Sequence, residues 1–306
     1  MILGIVGPTG SGKSALSVKV AKAIDGEVIS CDSVQIYRGF NIGSGKISSA
    51  EMEGIKHHLL DIKEGNESFT VGEFIELAEV LVNDIIDRGK IPIITGGTGL
   101  YYKAFAYRYQ LQDNNSKKED KVRSEFYSLL EDRGVDYLYK LLKSVDEESS
   151  KMIDARHSSR IIRALVYYFT YGESIVKQNI SCLGLRDDLI GIFLDVKRDL
   201  LYSRINRRVD EMLADGLVEE VSALLANGIS FDSPPMKTIG YKEVVAYLRG
   251  LISYNEMVDK IKQASRNYAK RQITWFRGQK ELNCFDYNCL EDQGKIIDFI
   301  KGKFKK

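Results

Sequence analysis

The run Gly7-Pro8-Thr9-Gly10-Ser11-Gly12-Lys13-Ser14 constrains this chain more than any other stretch. It fits G-x-x-x-x-G-K-[ST] and follows directly on the apolar segment Ile2-Leu3-Gly4-Ile5-Val6. A glycine-rich turn between a buried strand and a helix points several backbone N–H groups, and the positive end of the helix dipole, at one anion. Lys13 adds a mobile positive charge and Ser14 a hydroxyl suited to Mg²⁺. A chance glycine-rich loop would lack the helical run that follows here, with Ala15, Leu16, Val18, Val20, Ala21 and Ile24. The stretch therefore reads as a P-loop. Its usual tenant is a nucleotide, so nucleotide or ATP binding is the first expectation.

The rest of the chain repeats the strand-then-helix rhythm of a parallel α/β sheet. Glu27–Cys31 is a β-type run that ends at Asp32-Ser33-Val34-Gln35. Ligands of open parallel sheets bind beyond the carboxyl ends of the strands, which places Asp32 beside the P-loop as a base, a metal ligand or the cap of a turn. From Tyr37 to Phe69 the chain reads as loop with short elements, and Val71–Arg88 has helical spacing closed by Gly89. Ile91–Thr95 is a continuously apolar strand running into Gly96-Gly97-Thr98-Gly99-Leu100-Tyr101, a second glycine-rich junction in which Thr98 carries the polar handle.

Between about 110 and 182 the pattern turns helical, with expected helices over Lys121–Asp132, Val135–Val145 and Ser159–Tyr171, preceded by a polar stretch from Leu111 to Asp120. The division expected is a core over 1–109, a helical insertion domain over 110–182, and a second core part over 183–306 with basic C-terminal helices. The core resumes with Leu189–Leu194, and behind it lies an arginine-rich helix carrying Arg204, Arg207 and Arg208. One of these arginines can close over phosphates, or pair on the surface with Asp210.

A net charge of +1 gives no hint of a polyanionic partner until it is broken down along the chain. Residues 1–100 carry 9 basic against 13 acidic side chains, whereas residues 237–280 carry 10 against 3. That segregation suggests a large anionic partner, the alternative being a solvated helix face. Within it Lys262, Arg266, Lys270 and Arg277 share one helical stripe, expected to face outward for a phosphate backbone. Ile261, Ala264, Tyr268 and Trp275 share another, expected to be core. The four cysteines form no C-x-x-C pair and only three histidines occur, so a structural zinc site is not expected. No apolar run is long enough for a bilayer and no signal peptide fits before the first strand, which leaves a cytoplasmic protein with no membrane as the expectation.

These segments together resemble the tRNA dimethylallyltransferases, also called tRNA isopentenyltransferases. The resemblance is carried by Gly7–Ser14, by Ser30-Cys31-Asp32-Ser33-Val34-Gln35-Ile36-Tyr37-Arg38 and by Gly96–Tyr101. It continues in Ser159–Leu165, Arg208–Leu213, Ile239–Glu243 and Ala269–Phe276. It runs in order to about residue 280. Gly10 and Ser14 stand where the family more often has Ala and Thr, and the zinc-finger extension of eukaryotic members is missing, as in a bacterial-type enzyme.

The resemblance implies a P-loop NTPase-like core with a helical insertion. It also implies transfer of a dimethylallyl group from dimethylallyl diphosphate to the exocyclic N6 amine of the adenosine 3′ of the tRNA anticodon. It assigns Asp32 as general base, Thr98 to positioning and Arg208 to the pyrophosphate, and makes Gly7, Pro8, Thr9, Gly10, Ser11, Gly12, Lys13 and Ser14 a diphosphate cradle rather than an ATP site, with Mg²⁺ at Ser14. It assigns the tRNA to Asp32, Ser33, Val34 and Gln35 around the target adenosine, to Arg123, to Arg156, His157, Ser158, Ser159 and Arg160, and to Lys237, Thr238, Ile239, Gly240, Tyr241 and Lys242. A monomer is expected. Three other readings remain: prenylation of free AMP, ADP or ATP, a P-loop small-molecule kinase, and a non-catalytic RNA-binding protein. The first two leave the basic 237–280 region without a role, and the third leaves Lys13, Asp32 and Thr98 without one.

Overall fold

A computed structural model describes residues 1–110, 116–177 and 181–304 of the chain, so residues 111–115 of the polar stretch lie outside the described residues. The chain divides into two compact units, one of residues 1–108 with 184–306 and one of residues 109–183.

The larger unit is built on β1 (Ile2–Val6), α1 (Lys13–Ile24), β2 (Gly26–Cys31), β3 (His57–His58), α2 (Val71–Asp87), β4 (Ile91–Gly96) and α3 (Gly99–Ala106). In the smaller unit the elements are β5 (Tyr109–Gln110), α4 (Ser116–Val145), α5 (Glu147–Met152), α6 (Ser158–Tyr171) and β6 (Ser181–Cys182). The larger unit resumes with β7 (Leu189–Asp195), α7 (Arg198–Ala214), α8 (Leu217–Ala226), α9 (Tyr241–Leu248), α10 (Tyr254–Arg277), β8 (Leu282–Asp286) and α11 (Leu290–Phe304). Its sheet runs β3-β2-β4-β1-β7-β8 with every pairing parallel.

Both faces of this sheet are covered, which is why its strands read as unbroken apolar runs. Alternation still sorts the residues. Ile2, Val6, Ile29 and Phe193 pack on one face with Phe74, Tyr102 and Phe105 of α2 and α3 and Phe276 of α10. Leu3, Ile5, Val28, Ile93 and Ile192 pack on the other with Leu16 and Val20 of α1 and Ile296 and Ile300 of α11. A third cluster gathers Tyr37, Phe40, Val209, Leu217, Met236, Tyr241 and Met257 from the loops and helices after the strands.

The two-residue strand β3 within the expected loop is too short to show any alternation. The same holds for the antiparallel pair β5–β6 in the smaller unit. In that unit α4 breaks at Gly134, which takes φ 77° and ψ 172°, so the element is two helices meeting close to the expected boundary. Its core is Phe126, Leu138, Leu142, Ile161, Ile162 and Leu165. No helix among the described residues is long and apolar enough to cross a membrane.

Register explains one packing detail. Gly4 of β1 pairs with Gly191 of β7, and together they leave room for the Tyr102 ring on the sheet. A Cβ on Gly191 would meet the Tyr102 hydroxyl and lie 2.6 Å from Leu282 Cδ2, and that hydroxyl is buried with no hydrogen-bond partner among the described residues. Gly191→Ala should therefore cost about 1–3 kcal/mol of stability through overpacking, read by urea unfolding, and adding Tyr102→Phe should recover part of the loss. An unchanged midpoint in the single variant would contradict this packing.

Candidate active site

Parallel register brings four strand ends to one edge. Val6 pairs with both Gly96 and Phe193, and Cys31 also pairs with Gly96, so the P-loop, Asp32 and the Gly97-Thr98 junction all emerge side by side. Gly10 and Gly12 take φ of 77° and 88°, a left-handed conformation that lets the loop curl before α1 begins at Lys13. No acidic side chain sits in the first turn of α1, so its N-terminal amides stay open to an anion.

Lys13 and Arg208 are the cations of this edge. Desolvation, then the Arg208 charge, push the Lys13 amine down to about 8, against the pull of Asp32 and Cys31. Desolvation likewise lowers Arg208, against Asp32, Glu51 and Glu211. Lys13 Nζ donates to the Pro8 carbonyl at 3.4 Å, and Arg208 donates to the Gly45 carbonyl at 3.1 Å. Both line a cleft of about 1130 Å³ together with Gly10–Ala15, Arg204, Lys46, Glu51 and Tyr287. Arg207 also lines the cleft but pairs with Glu211 on its own helix at 3.3 Å.

Asp32 is both a cap and a free carboxylate. Its Oδ1 accepts from the Val34 amide at 2.8 Å and the Gln35 amide at 3.3 Å, while Oδ2 accepts no hydrogen bond from the described residues. Thr98 stands at the N-cap of α3, yet its side chain makes no capping hydrogen bond, so the hydroxyl is uncommitted. Burial raises the Cys31 thiol well above its ordinary range, keeping it neutral, and its Sγ donates to the Thr98 carbonyl at 3.8 Å. Neither Asp32 nor Thr98 lines the cleft that Lys13 and Arg208 line. Asp32 is nevertheless near enough to act on the charges of both Lys13 and Arg208.

Three residues that carried no individual role in the sequence organise this edge. Gln272 of α10 accepts from the Thr9 amide at 2.9 Å and donates to the Gly97 carbonyl at 2.8 Å. Burial pushes the nearby Tyr268 hydroxyl up to about 12, with Asp32 adding to the rise. Glu220 of α8 accepts from the backbone amides of Asn41, Ile42 and Gly43 at 3.0, 2.7 and 3.2 Å, fixing the loop whose Gly45 carbonyl holds Arg208. Gln272 falls within the Ala269–Phe276 segment, but the bonds that Gln272 and Glu220 make to the loops are long-range and no local spacing announces them.

The tRNA-assigned residues fall into different settings. Ser33 and Val34 are half-buried beside Asp32, but Gln35 spends its amide on the Gly45 and Ser44 carbonyls. Tyr241 departs from the expected RNA contact: it is fully buried, donates to Glu220 at 2.7 Å and accepts from the Ser44 amide at 3.2 Å. Gly240 is also buried and Ile239 half-buried, and Thr238 donates to Pro235 at 2.6 Å; Lys237 and Lys242 are exposed but pair with Asp232 at 3.2 Å and Glu243 at 3.6 Å. In the smaller unit His157, Ser159 and Arg160 are exposed around the start of α6, with Ser158 half-buried. Arg156 is exposed and pairs with Asp154 at 2.6 Å, and Arg123 pairs with Glu119 at 3.3 Å.

The outward basic stripe requires correction. Lys262 pairs with Asp210 at 2.6 Å, Arg266 donates to Asn206 at 2.6 Å, and Arg277 pairs with Asp195 at 2.8 Å. Three of its four members are tied to α7 or β7, because those elements place acceptors opposite α10. Lys270 is exposed and makes no ion pair among the described residues.

No group of three or more His, Cys, Asp or Glu side chains comes together as a metal cage among the described residues. The half-buried Ser14 hydroxyl in the cleft suits a Mg²⁺ that takes most of its oxygens from a phosphate ligand and water.

Two desolvated cations at a P-loop, with a carboxylate near enough to act on both, make a site for taking a group off a phosphate ester. Residues 35–279 match the model of the IPP transferase family, and the chain belongs to that family. It is 46% identical to the tRNA dimethylallyltransferase of Thermoanaerobacter sp. (strain X514), with 99% of this chain and 98% of that protein covered. The crystal structure of full-length tRNA isopentenylpyrophosphate transferase from Bacillus halodurans matches with a TM-score of 0.74 and 39% identity, over 99% of this chain and 96% of that one. A eukaryotic dimethylallyltransferase acting on tRNA matches with a TM-score of 0.76 and 28% identity, over 98% of this chain and 79% of that one.

Tyr241→Phe removes one bond from the Glu220 clamp and leaves a half-buried carboxylate oxygen short of a donor. It should lower stability by about 1–2 kcal/mol and weaken pyrophosphate binding through the loop that holds Arg208. Calorimetry on the purified variant checks both. Wild-type affinity would mean that the loop does not depend on the clamp.

Proposed function

We propose that the chain is a tRNA dimethylallyltransferase that moves the dimethylallyl group of dimethylallyl diphosphate to the N6 amine of the adenosine 3′ of the anticodon, releasing diphosphate. The observation that carries this reading is the shared electrostatic environment of Lys13, Arg208 and Asp32, with cations for a leaving diphosphate and a carboxylate for an incoming amine.

In this reading the amides at the start of α1, with Lys13 and Arg208, hold the diphosphate and stabilise charge that develops on its bridging oxygen. Mg²⁺ held near Ser14 would add charge neutralisation on the phosphate oxygens. As the bond from C1 of the prenyl group to that oxygen breaks, the oxygen leaves with the electron pair and the adenine nitrogen bonds to C1. The nitrogen then surrenders one proton, for which Asp32 Oδ2 is free while Oδ1 stays anchored on the Val34 and Gln35 amides. The uncommitted Thr98 hydroxyl positions the reacting groups. The target base leaves its stack to reach this site, and Ser33 and Val34 line its place. Arg123, the Arg156–Arg160 segment, Lys237 and Lys242 take the phosphate backbone. A cytoplasmic monomer completes the proposal.

The test offers labelled dimethylallyl diphosphate with unmodified tRNA, with AMP, or with no acceptor. Label should appear on tRNA alone; label on AMP alone, or ATP hydrolysis without transfer, would contradict the proposal. Asp32→Asn isolates the base from the cap, because the amide oxygen can still accept from Val34 and Gln35. It should retain tRNA binding and thermal stability while turnover falls about 10²–10⁴-fold. Turnover near the wild-type rate would reduce Asp32 to the cap of a turn.

A further inference from the structure

Resting on the transfer reading, we propose that Gln272 is a positioning residue that fixes the spacing between the diphosphate cradle and Thr98, acting on the rate of the chemical step rather than on substrate binding. Gln272 lies in α10, only 7% exposed, and its amide is the hydrogen-bonded link between two loops from opposite parts of the sequence. Oε1 accepts from the Thr9 amide at 2.9 Å and Nε2 donates to the Gly97 carbonyl at 2.8 Å. The Tyr268 side chain, one helical turn earlier on α10, lies beside this amide, and its hydroxyl feels the charge of Asp32.

The fit around this amide leaves no slack. A Cβ on Gly97 would sit 2.5 Å from Gln272 Nε2 and 3.3 Å from the Gly7 carbonyl, so the second glycine-rich loop is pressed between Gln272 and the P-loop. The bond also commits the Thr9 amide away from the cradle, which sets how the loop turns into Lys13 and Ser14. Loss of the link would leave a half-buried N–H and a buried C=O without this partner and let the two loops drift by tenths of an ångström. Displacements of that kind at reacting atoms are felt in rate far more than in affinity, and 1 Å is worth about 10²-fold.

Two variants test this in the full-length protein with steady-state transfer to unmodified tRNA. Q272L is close in shape and removes both bonds; kcat should fall about 10–100-fold, with the KM for each substrate within about threefold. Q272E keeps an acceptor for Thr9 but, when ionised, has no proton for the Gly97 carbonyl, whereas its protonated form restores both bonds. Its kcat relative to wild type should therefore recover as pH is lowered, and that of Q272L should not. A role confined to stability would lower Tm and active concentration without this pH-dependent recovery. Wild-type kcat in Q272L, losses in KM instead of kcat, or a pH-flat ratio for Q272E each overturn the inference. Absence of transfer to tRNA by the wild-type protein overturns the underlying reading instead.

Discussion

Two positive charges are held where water is scarce, and much of the site follows from that. Burial depresses both Lys13 and Arg208 at the mouth of the P-loop, the Arg208 charge depresses Lys13 further, and Asp32 offsets this only in part. Such a pair is unfavourable until an anion arrives, so the free protein stores a demand for a diphosphate-like ligand. The lowered Lys13 value has a folding consequence with a definite sign. The unfolded chain binds the proton more tightly, so this group detracts from stability below about pH 8, and stability recovers as pH rises toward the ordinary lysine value of 10.5.

Holding that arrangement requires support from far along the chain. Glu220 and Tyr241 clamp the loop that gives Arg208 its carbonyl partner, and Gln272 ties the P-loop to the Gly97 carbonyl. Helix α10 contributes to this support twice over. Its polar residues Lys262, Arg266 and Arg277 anchor it to α7 and β7, and its buried residues Gln272 and Phe276 reach the loops and the sheet. The helix thus acts as a strut, and the charge along it serves the fold before it serves any polyanion.

What could be read from the letters divides along the range of the interactions. The P-loop, Asp32 and Thr98 are legible because each sits within a few residues of a strand end, where local spacing dictates backbone shape. The parallel sheet was legible for the same reason, from apolar runs bounded by glycine. The partners of α10 were not: a lysine at helical spacing looks the same whether Asp210 or solvent faces it. Tyr241 misled because a tyrosine beside two lysines suits an RNA surface as well as a core, and only Glu220 on another helix decides between them. Gln272 lies in the Ala269–Phe276 segment, but its role gave no signal, since a single amide bonding to two backbone groups has no periodicity and no charge. Strand β3 and the β5–β6 pair escaped because two residues cannot alternate.

The central claim is that the P-loop site waits with an unprotonated fraction of Lys13 that an incoming diphosphate converts to the cation. Isothermal titration of pyrophosphate near pH 8.5, repeated in buffers of different ionisation enthalpy, measures the protons taken up on binding. Wild-type protein should take up a fraction of a proton more than Lys13→Met, with the excess shrinking toward zero by about pH 6, where Lys13 is already charged. Equal proton uptake by the two proteins, or pyrophosphate affinity indifferent to Lys13, would contradict the account.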